Sequence, residues 1–299
     1  MKLISGVYDG RSFIGEWNDN GSIFNLTKAA ERSGKTFARS LLEGIQQGSR
    51  FMADIYELKD EVEDEEGLSL NIKPEDPLFA WNAPIERPLK NIFCVGKNYR
   101  DHAIEMGGAA DIPEDIIVFS KAPTAVIAHE ALIPLHESIT SELDYEGELA
   151  VIIGKTGTSI QECQAHDYIF GYTILNDVTA RDLQQKHKQF LIGKSLDGTC
   201  PMGPFITLKE AVQDHSRLSI ETKVNGEVRQ SGTTGDFIFP IERIIAELSK
   251  GMTLEAGDII ATGTPAGVGK GMKPPVFLKT GDVVEITIEG IGTLRNEVK

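Results

Sequence analysis

The chain has 299 residues, 40% of them apolar and 25% charged, with a mean hydropathy of −0.16. That is enough for one large domain or a large domain with a small companion, and it excludes global disorder. Lysine and arginine number 30 against 45 aspartates and glutamates, a formal charge of −15, which argues against a nucleic-acid or anionic-membrane binder because the average field repels phosphate.

The first elements form a small module. Segments near 2–7 and 11–17 alternate apolar and polar residues around Asp9-Gly10, a hairpin signal. Helical patterns follow near 26–33 and 36–47. The stretch 59–67 carries six acids against one lysine and reads as a solvated surface or an acidic interaction segment. Pro74, Pro77, Pro84 and Pro88 punctuate an extended connection, so a boundary is expected near residue 85: a module over 1–85 and a catalytic domain over 86–299.

Beyond it the chain reads as strand-rich, an α+β protein with Gly turns. Expected strands are 91–95, 147–153, 168–175, 204–208, 219–224, 258–261 and 283–288. Asn225-Gly226 is the strongest hairpin signal. Ile241, Ile244, Ile245 and Leu248 make an i, i+3, i+4, i+7 stripe between Pro240 and Gly251, a core-facing helix. No Gly-x-Gly-x-x-Gly follows a strand, which argues against a doubly wound dinucleotide fold. ATGTPAGVGKG (261–271) has the wrong Gly-to-Gly-Lys spacing for a phosphate loop, and Gly271 replaces the required hydroxyl. It remains a Gly-rich turn with backbone N–H groups that could hold a carboxylate. Cys94, Cys163 and Cys200 form no paired motif. With a polar start to the chain, they suggest a reducing, cytoplasmic setting.

Several polar residues could carry chemistry. On an extended strand Glu146 and Glu148 share a face. They are either a water-facing strand end or ligands of a hard cation. Asp177 ends the next buried run and supplies a third carboxylate; oxygen-only donors suit Mg²⁺ or Mn²⁺. A helix starting at that strand end would put Asp177, Arg181 and Gln184 on one face, either as a solvated ion pair or around a shared site. Lys194 follows a short apolar stretch and is either a surface residue or a desolvated charge. His102 and Glu105 would touch across one helical turn, as an exposed pair or as a general base. Gly107-Gly108 after them would let residues 98–110 move as a lid.

The segments VGKNYRDHAIEMG, LDYEGELAVIIGK, FGYTILNDVTARDLQ, GKSLDGTCPMGP, VNGEVRQSG and LEAGDIIATGTPAGVG together resemble the fumarylacetoacetate hydrolase family, over roughly residues 86–299. The resemblance implies a mixed β-sandwich roll. It implies Glu146, Glu148 and Asp177 as metal ligands for Mg²⁺ or Mn²⁺, and His102 and Glu105 as the pair that activates water. Lys194 matches the active-site lysine, and Arg181, Gln184 and Thr264 match substrate contacts. A homodimer is also expected. The D-H-x-x-E form departs from the animal fumarylacetoacetases, which places hydrolysis of fumarylacetoacetate itself behind other substrates.

The expected reaction is metal-dependent C–C cleavage of a small 2-oxo acid through a pyruvate enolate. Oxaloacetate would lose carbon dioxide without a nucleophile, and a short acylpyruvate would need activated water. The alternatives are an isomerase or tautomerase of a 2-hydroxydienoate dioate, using proton transfer alone, and a non-catalytic binding or scaffold protein on the same fold.

Overall fold

The computed structural model describes residues 1–61 and 70–299. The acidic stretch 59–67 lies mostly outside the described residues.

β1 (Lys2–Tyr8) and β2 (Arg11–Trp17) pair around Asp9 (φ 49°) and Gly10 (φ 73°), the two positive φ angles that a two-residue hairpin loop needs. β3 (Ile23–Asn25) and β4 (Asn71–Ile72) extend that side of the sheet. Asn25 caps α1 (Leu26–Arg32) by accepting from Lys28 N. The second helix starts later than the pattern predicts: α2 (Leu41–Gln47) begins after Ser40, whose hydroxyl accepts from Glu43 N. A third helix, α3 (Ser49–Glu61), was not anticipated. Gly48 (φ 62°) turns the chain instead of ending the helical region, and Phe51, Ile55 and Leu58 bury one face of the new helix. Within the Pro-punctuated connection, β5 (Phe79–Asn82) pairs with β1.

The remaining strands follow in chain order. They are β6 (Ile92–Gly96), β7 (Ile117–Lys121), β8 (Val126–Ile127), β9 (Leu132–Ile133), β10 (Leu143–Asp144), β11 (Gly147–Ile153) and β12 (Ile169–Asn176). Then come β13 (Thr179–Ala180), β14 (Cys200–Leu208), β15 (Ser219–Val224), β16 (Glu227–Thr233), β17 (Ile259–Ala261), β18 (Val283–Ile288) and β19 (Gly292–Val298). The larger sheet runs β4-β3-β2-β1-β14-β12-β11-β17-β6-β7, with β5 on β1 and β8 on β14. The smaller runs β16-β15-β18-β19-β9, and β10 pairs with β13. Both sheets mix parallel and antiparallel neighbours, so the molecule is a strand-rich α+β roll.

β11 explains its own sequence. Leu149, Val151 and Ile153 face Ile220, Val284, Ile286 and Leu294 of the second sheet, together with α7 (Ile241–Ser249). Ala150 and Ile152 face the other way, onto a cluster with Leu41, Ile45, Phe51 and Ile55 of α2 and α3. A strand covered on both faces must be apolar throughout, hence the unbroken Leu-Ala-Val-Ile-Ile. That second cluster also takes in Leu3, Ile14, Ile92 and Cys94, and β1 pairs directly with β14. One apolar layer and one sheet therefore run through residue 85. Among the described residues, no helix is long and apolar enough to cross a membrane.

Candidate active site

The site sits where β11 begins and β12 ends. The two are antiparallel neighbours, with Gly147 opposite Asn176, so residues just before one and just after the other must meet. Asp177 N donates to Glu146 O at 2.8 Å, and Asn176 Oδ1 accepts from Glu146 N. Glu146, Glu148 and Asp177 thus bring one carboxylate oxygen each to within 4.8 Å of one another. All three are buried. Gly147 between them admits no side chain, since a Cβ there would lie 2.3 Å from Thr222 Oγ1.

Cations crowd this cluster. Lys194, the last residue of α6 (Leu191–Lys194), is 1% exposed. Its Nζ lies 2.8 Å from Glu146 Oε2 and 2.6 Å from Asp177 Oδ2, above the ring of Phe119. The open choice for Lys194 is therefore settled in favour of a desolvated charge. Lys121, at the inner end of β7, is fully buried. Its Nζ lies 2.9 Å from Asp177 Oδ1 and donates to the backbone oxygens of Val178 and Lys194.

Arg181 opens α5 (Arg181–His187). Its Nε donates to Asp144 Oδ2 at 2.8 Å, and its Nη1 reaches Glu146 Oε1 at 2.6 Å and Gln184 Oε1 at 3.2 Å. Nη2 is buried and has no partner. The predicted helix does not start at Asp177. Thr179–Ala180 pairs with β10 instead, and Arg181 N donates to Glu142 O, which keeps the chain extended for three more residues. Arg181 and Gln184 are thus i, i+3 neighbours on a helix that excludes Asp177, and proximity to Asp177 comes from the sheet.

His102 and Glu105 lie on α4 (Arg100–Gly107), with Nδ1 3.3 Å from Glu105 Oε2. Both are largely shielded, with side chains 8% and 18% exposed. Glu105 also accepts from Gly267 N with both oxygens. The Gly-rich turn therefore does hold carboxylates, and they are the protein's own. Gly263 N donates to Glu148 Oε2, Gly267 N to Glu105, and Gly269 N and Lys270 N to Asp144.

His102, Glu146, Glu148, Arg181, Gln184, Lys194 and Thr264 all line one cavity of about 500 Å³, ample for a small organic acid with its waters. Phe119 and Phe190 supply apolar wall, and Lys97, Lys188 and Lys270 stand around it. Lys121, Asp144 and Gln230 escaped the sequence reading. Only Asp144 carried a signal, its adjacency to the paired glutamates.

The electrostatics fit a divalent cation. Four buried carboxylates (Asp144, Glu146, Glu148 and Asp177) face three buried cations (Lys121, Arg181 and Lys194). Burial, then Asp177 and Glu146, push the Glu148 carboxyl well above its ordinary range. Burial would raise Glu146 too, but Lys194 and Arg181 outweigh it and hold it low. Burial would lower the Lys194 ammonium, but Asp177 and Glu146 reverse that and raise it. Asp177 is balanced on both oxygens, by Lys121 at Oδ1 and Lys194 at Oδ2. One carboxyl forced toward its neutral form, among four carboxylates with only three cations, marks a place short of positive charge. Carboxylate donors without Cys or His suit a hard ion.

Comparison with known proteins agrees. The family pattern described as fumarylacetoacetate (FAA) hydrolase C-terminal matches residues 91–299. Oxaloacetate tautomerase YisK of Bacillus subtilis is 54% identical over the full length of both chains. The solved fumarylacetoacetate hydrolase of Exiguobacterium antarcticum superposes with a TM-score of 0.84 at 45% identity, covering 100% of this chain and 99% of that one. The 5-carboxymethyl-2-hydroxymuconate delta-isomerase of Mycobacterium smegmatis gives a TM-score of 0.72 at 32% identity, covering 100% and 98%. Sequence pattern, full-length relatives and fold converge: the chain belongs to the fumarylacetoacetate hydrolase family.

Proposed function

We propose that this protein is an enzyme that interconverts the enol and keto forms of a short 2-oxo acid, with oxaloacetate as the leading substrate. The observation that carries this reading is the convergence on one cavity of a carboxylate-oriented imidazole, two carboxylates of the triad (Glu146 and Glu148) and the cations Arg181 and Lys194. The 54% identical relative named an oxaloacetate tautomerase supports the substrate class. It moves proton transfer ahead of the C–C cleavage that the sequence alone favours.

Glu146, Glu148 and Asp177 would hold Mg²⁺ or Mn²⁺, and the bound ion would supply Lewis-acid polarisation of the 2-oxo group. The chain's own residues do the rest. Glu105 Oε2 accepts a hydrogen bond from His102 Nδ1–H, which leaves the Nε2 lone pair as the working site in the cavity. In ketonisation His102 Nε2 takes the enol O–H proton and delivers it to C3, so one proton moves and His102 ends as it began. Lys194 places fixed positive charge beside the developing enolate in a site shielded from water. The free Nη2 of Arg181 offers a buried donor to a substrate carboxylate.

Ketonisation of enol oxaloacetate, followed by loss of the enol's ultraviolet absorbance with Mg²⁺ and with EDTA, tests this. Activity above the metal-only rate and lost in EDTA is expected. Pyruvate release from oxaloacetate and acetylpyruvate, measured in parallel, covers the cleavage reading, which the 45% identical hydrolase structure favours. Pyruvate release without ketonisation would replace the tautomerase assignment with a lyase or hydrolase.

A further inference from the structure

The β15–β16 ladder steps from Thr222–Gln230 to Lys223–Val228, leaving Arg229 as a bulge. A bulge re-aims its neighbours, and here Gln230 is fully buried beneath the carboxylate triad. Its Oε1 accepts from Gly147 N at 3.0 Å, between the two glutamates. Its Nε2 donates to Pro265 O at 2.8 Å and to Thr264 Oγ1 at 2.7 Å. Thr264 Oγ1 in turn lies 2.9 Å from Gly147 O.

These contacts leave no freedom in the placement of hydrogens. Gly147 N can only donate and Pro265 O can only accept, so the Gln230 amide has one allowed orientation. Both Nε2 hydrogens are then used. Thr264 Oγ1 receives one of them, so its single O–H must go to Gly147 O. Toward the cavity, Thr264 has a lone pair and no proton to give.

We infer that Gln230 is a positioning residue that fixes Thr264 as a pure hydrogen-bond acceptor, so that the site places a protonated substrate oxygen against Thr264 and turns a carboxylate or keto oxygen away. This rests on the enol–keto reading, in which the protonated oxygen is the enol hydroxyl. The free Arg181 Nη2 is the complementary donor for the carboxylate, so the two residues polarise the cavity and orient the substrate.

The test is a binding ratio that needs no turnover. L-malate and D-malate carry a hydroxyl on C2, and succinate does not. Their affinities would be measured calorimetrically with Mg²⁺ for wild type, Thr264→Val, Thr264→Ser, Gln230→Met and the Thr264→Val/Gln230→Met double variant. Thr264→Val is expected to weaken the better-bound malate roughly five- to tenfold and to spare succinate. Thr264→Ser keeps the wild-type ratio. Gln230→Met lowers both the ratio and the Tm, but costs the ratio nothing more on top of Thr264→Val. Equal weakening of malate and succinate in Gln230→Met would make Gln230 a purely structural residue and overturn the inference, as would an unchanged ratio in Thr264→Val. A ratio that responds as stated in a protein without tautomerase activity removes the reaction and keeps the acceptor.

Discussion

Acid should weaken the protein through His129. His129 Nδ1 accepts from Arg295 N of β19 at 3.0 Å, and its ring stands edge-on to Trp81 of β5 at 5.0 Å. A protonated Nδ1 cannot accept, so charging the ring breaks that bond. Burial, then Arg295, push the imidazole from 6.5 down to about 4. The unfolded chain therefore binds this proton first. Stability from His129 is full above about pH 6.5 and is lost as the pH falls toward 4. The shift corresponds to about 3 kcal/mol in full, of which about 2 kcal/mol is gone at pH 5. That is a large share of the ~5–15 kcal/mol that holds a domain together. Urea unfolding at pH 7 and pH 5 would measure it, with His129→Gln as the comparison because an amide oxygen can keep Arg295 N satisfied. Wild type should lose about 2 kcal/mol more than the variant over that interval. Parallel losses would refute the reasoning, since the proton would then bind native and unfolded chains equally.

Three further outcomes follow from the site. Glu148→Ala should abolish the rise in Tm that Mg²⁺ produces in wild type; a retained rise would remove Glu148 from the ligand set. His102→Ala should slow ketonisation about 10²- to 10⁴-fold, the usual worth of a positioned acid–base group, with the Mg²⁺-induced Tm shift intact; loss of both together would show that His102 also shapes the metal site. Lys121→Met leaves the buried Asp177 charge without the ammonium at 2.9 Å and should cost about 3–5 kcal/mol in EDTA by urea unfolding; a cost below about 1 kcal/mol would mean that Lys194 alone compensates Asp177.

Much of this was legible wherever local chemistry decides. Asp9-Gly10 and Asn225-Gly226 both take the positive φ pair that their sequences announce, and the isoleucine stripe of α7 is buried as spaced. Glu146 and Glu148 were readable because a period of two puts them on one face. What stayed hidden are partners supplied by distant chain. Lys121 looks like the end of an ordinary strand, and only the fold brings it to Asp177. Gln230 looks like one polar residue in a hairpin until a bulge turns it inward. The Asp177–Arg181 spacing suggested a helical face, but a two-residue pairing with β10 delays the helix while the sheet still joins the same residues. Local pattern carried the period, and topology carried the neighbours.

The Gly-rich turn ties these neighbours together, and one substitution separates its structural from its catalytic part. A Cβ on Gly271 would lie 2.2 Å from Glu105 Cδ and 2.3 Å from its Oε1. The clash is with the tip of a flexible side chain, and Gly271 does not have a left-handed backbone, so the fold can absorb it by moving Glu105. Moving Glu105 takes its carboxylate off His102 Nδ1 and off Gly267 N. Gly271→Ala should therefore leave Tm and the Mg²⁺-induced shift near wild type. Ketonisation should slow about ten- to thirtyfold, the worth of roughly 1.5–2 kcal/mol of charge-assisted orientation. Gly267→Ala should fail differently: at φ 105° with a Cβ 1.9 Å from the Arg229 backbone oxygen, it strains the turn itself and should lower Tm. Unchanged turnover in Gly271→Ala would mean that Glu105 does not orient the imidazole, and the acid–base assignment would pass to His102 alone.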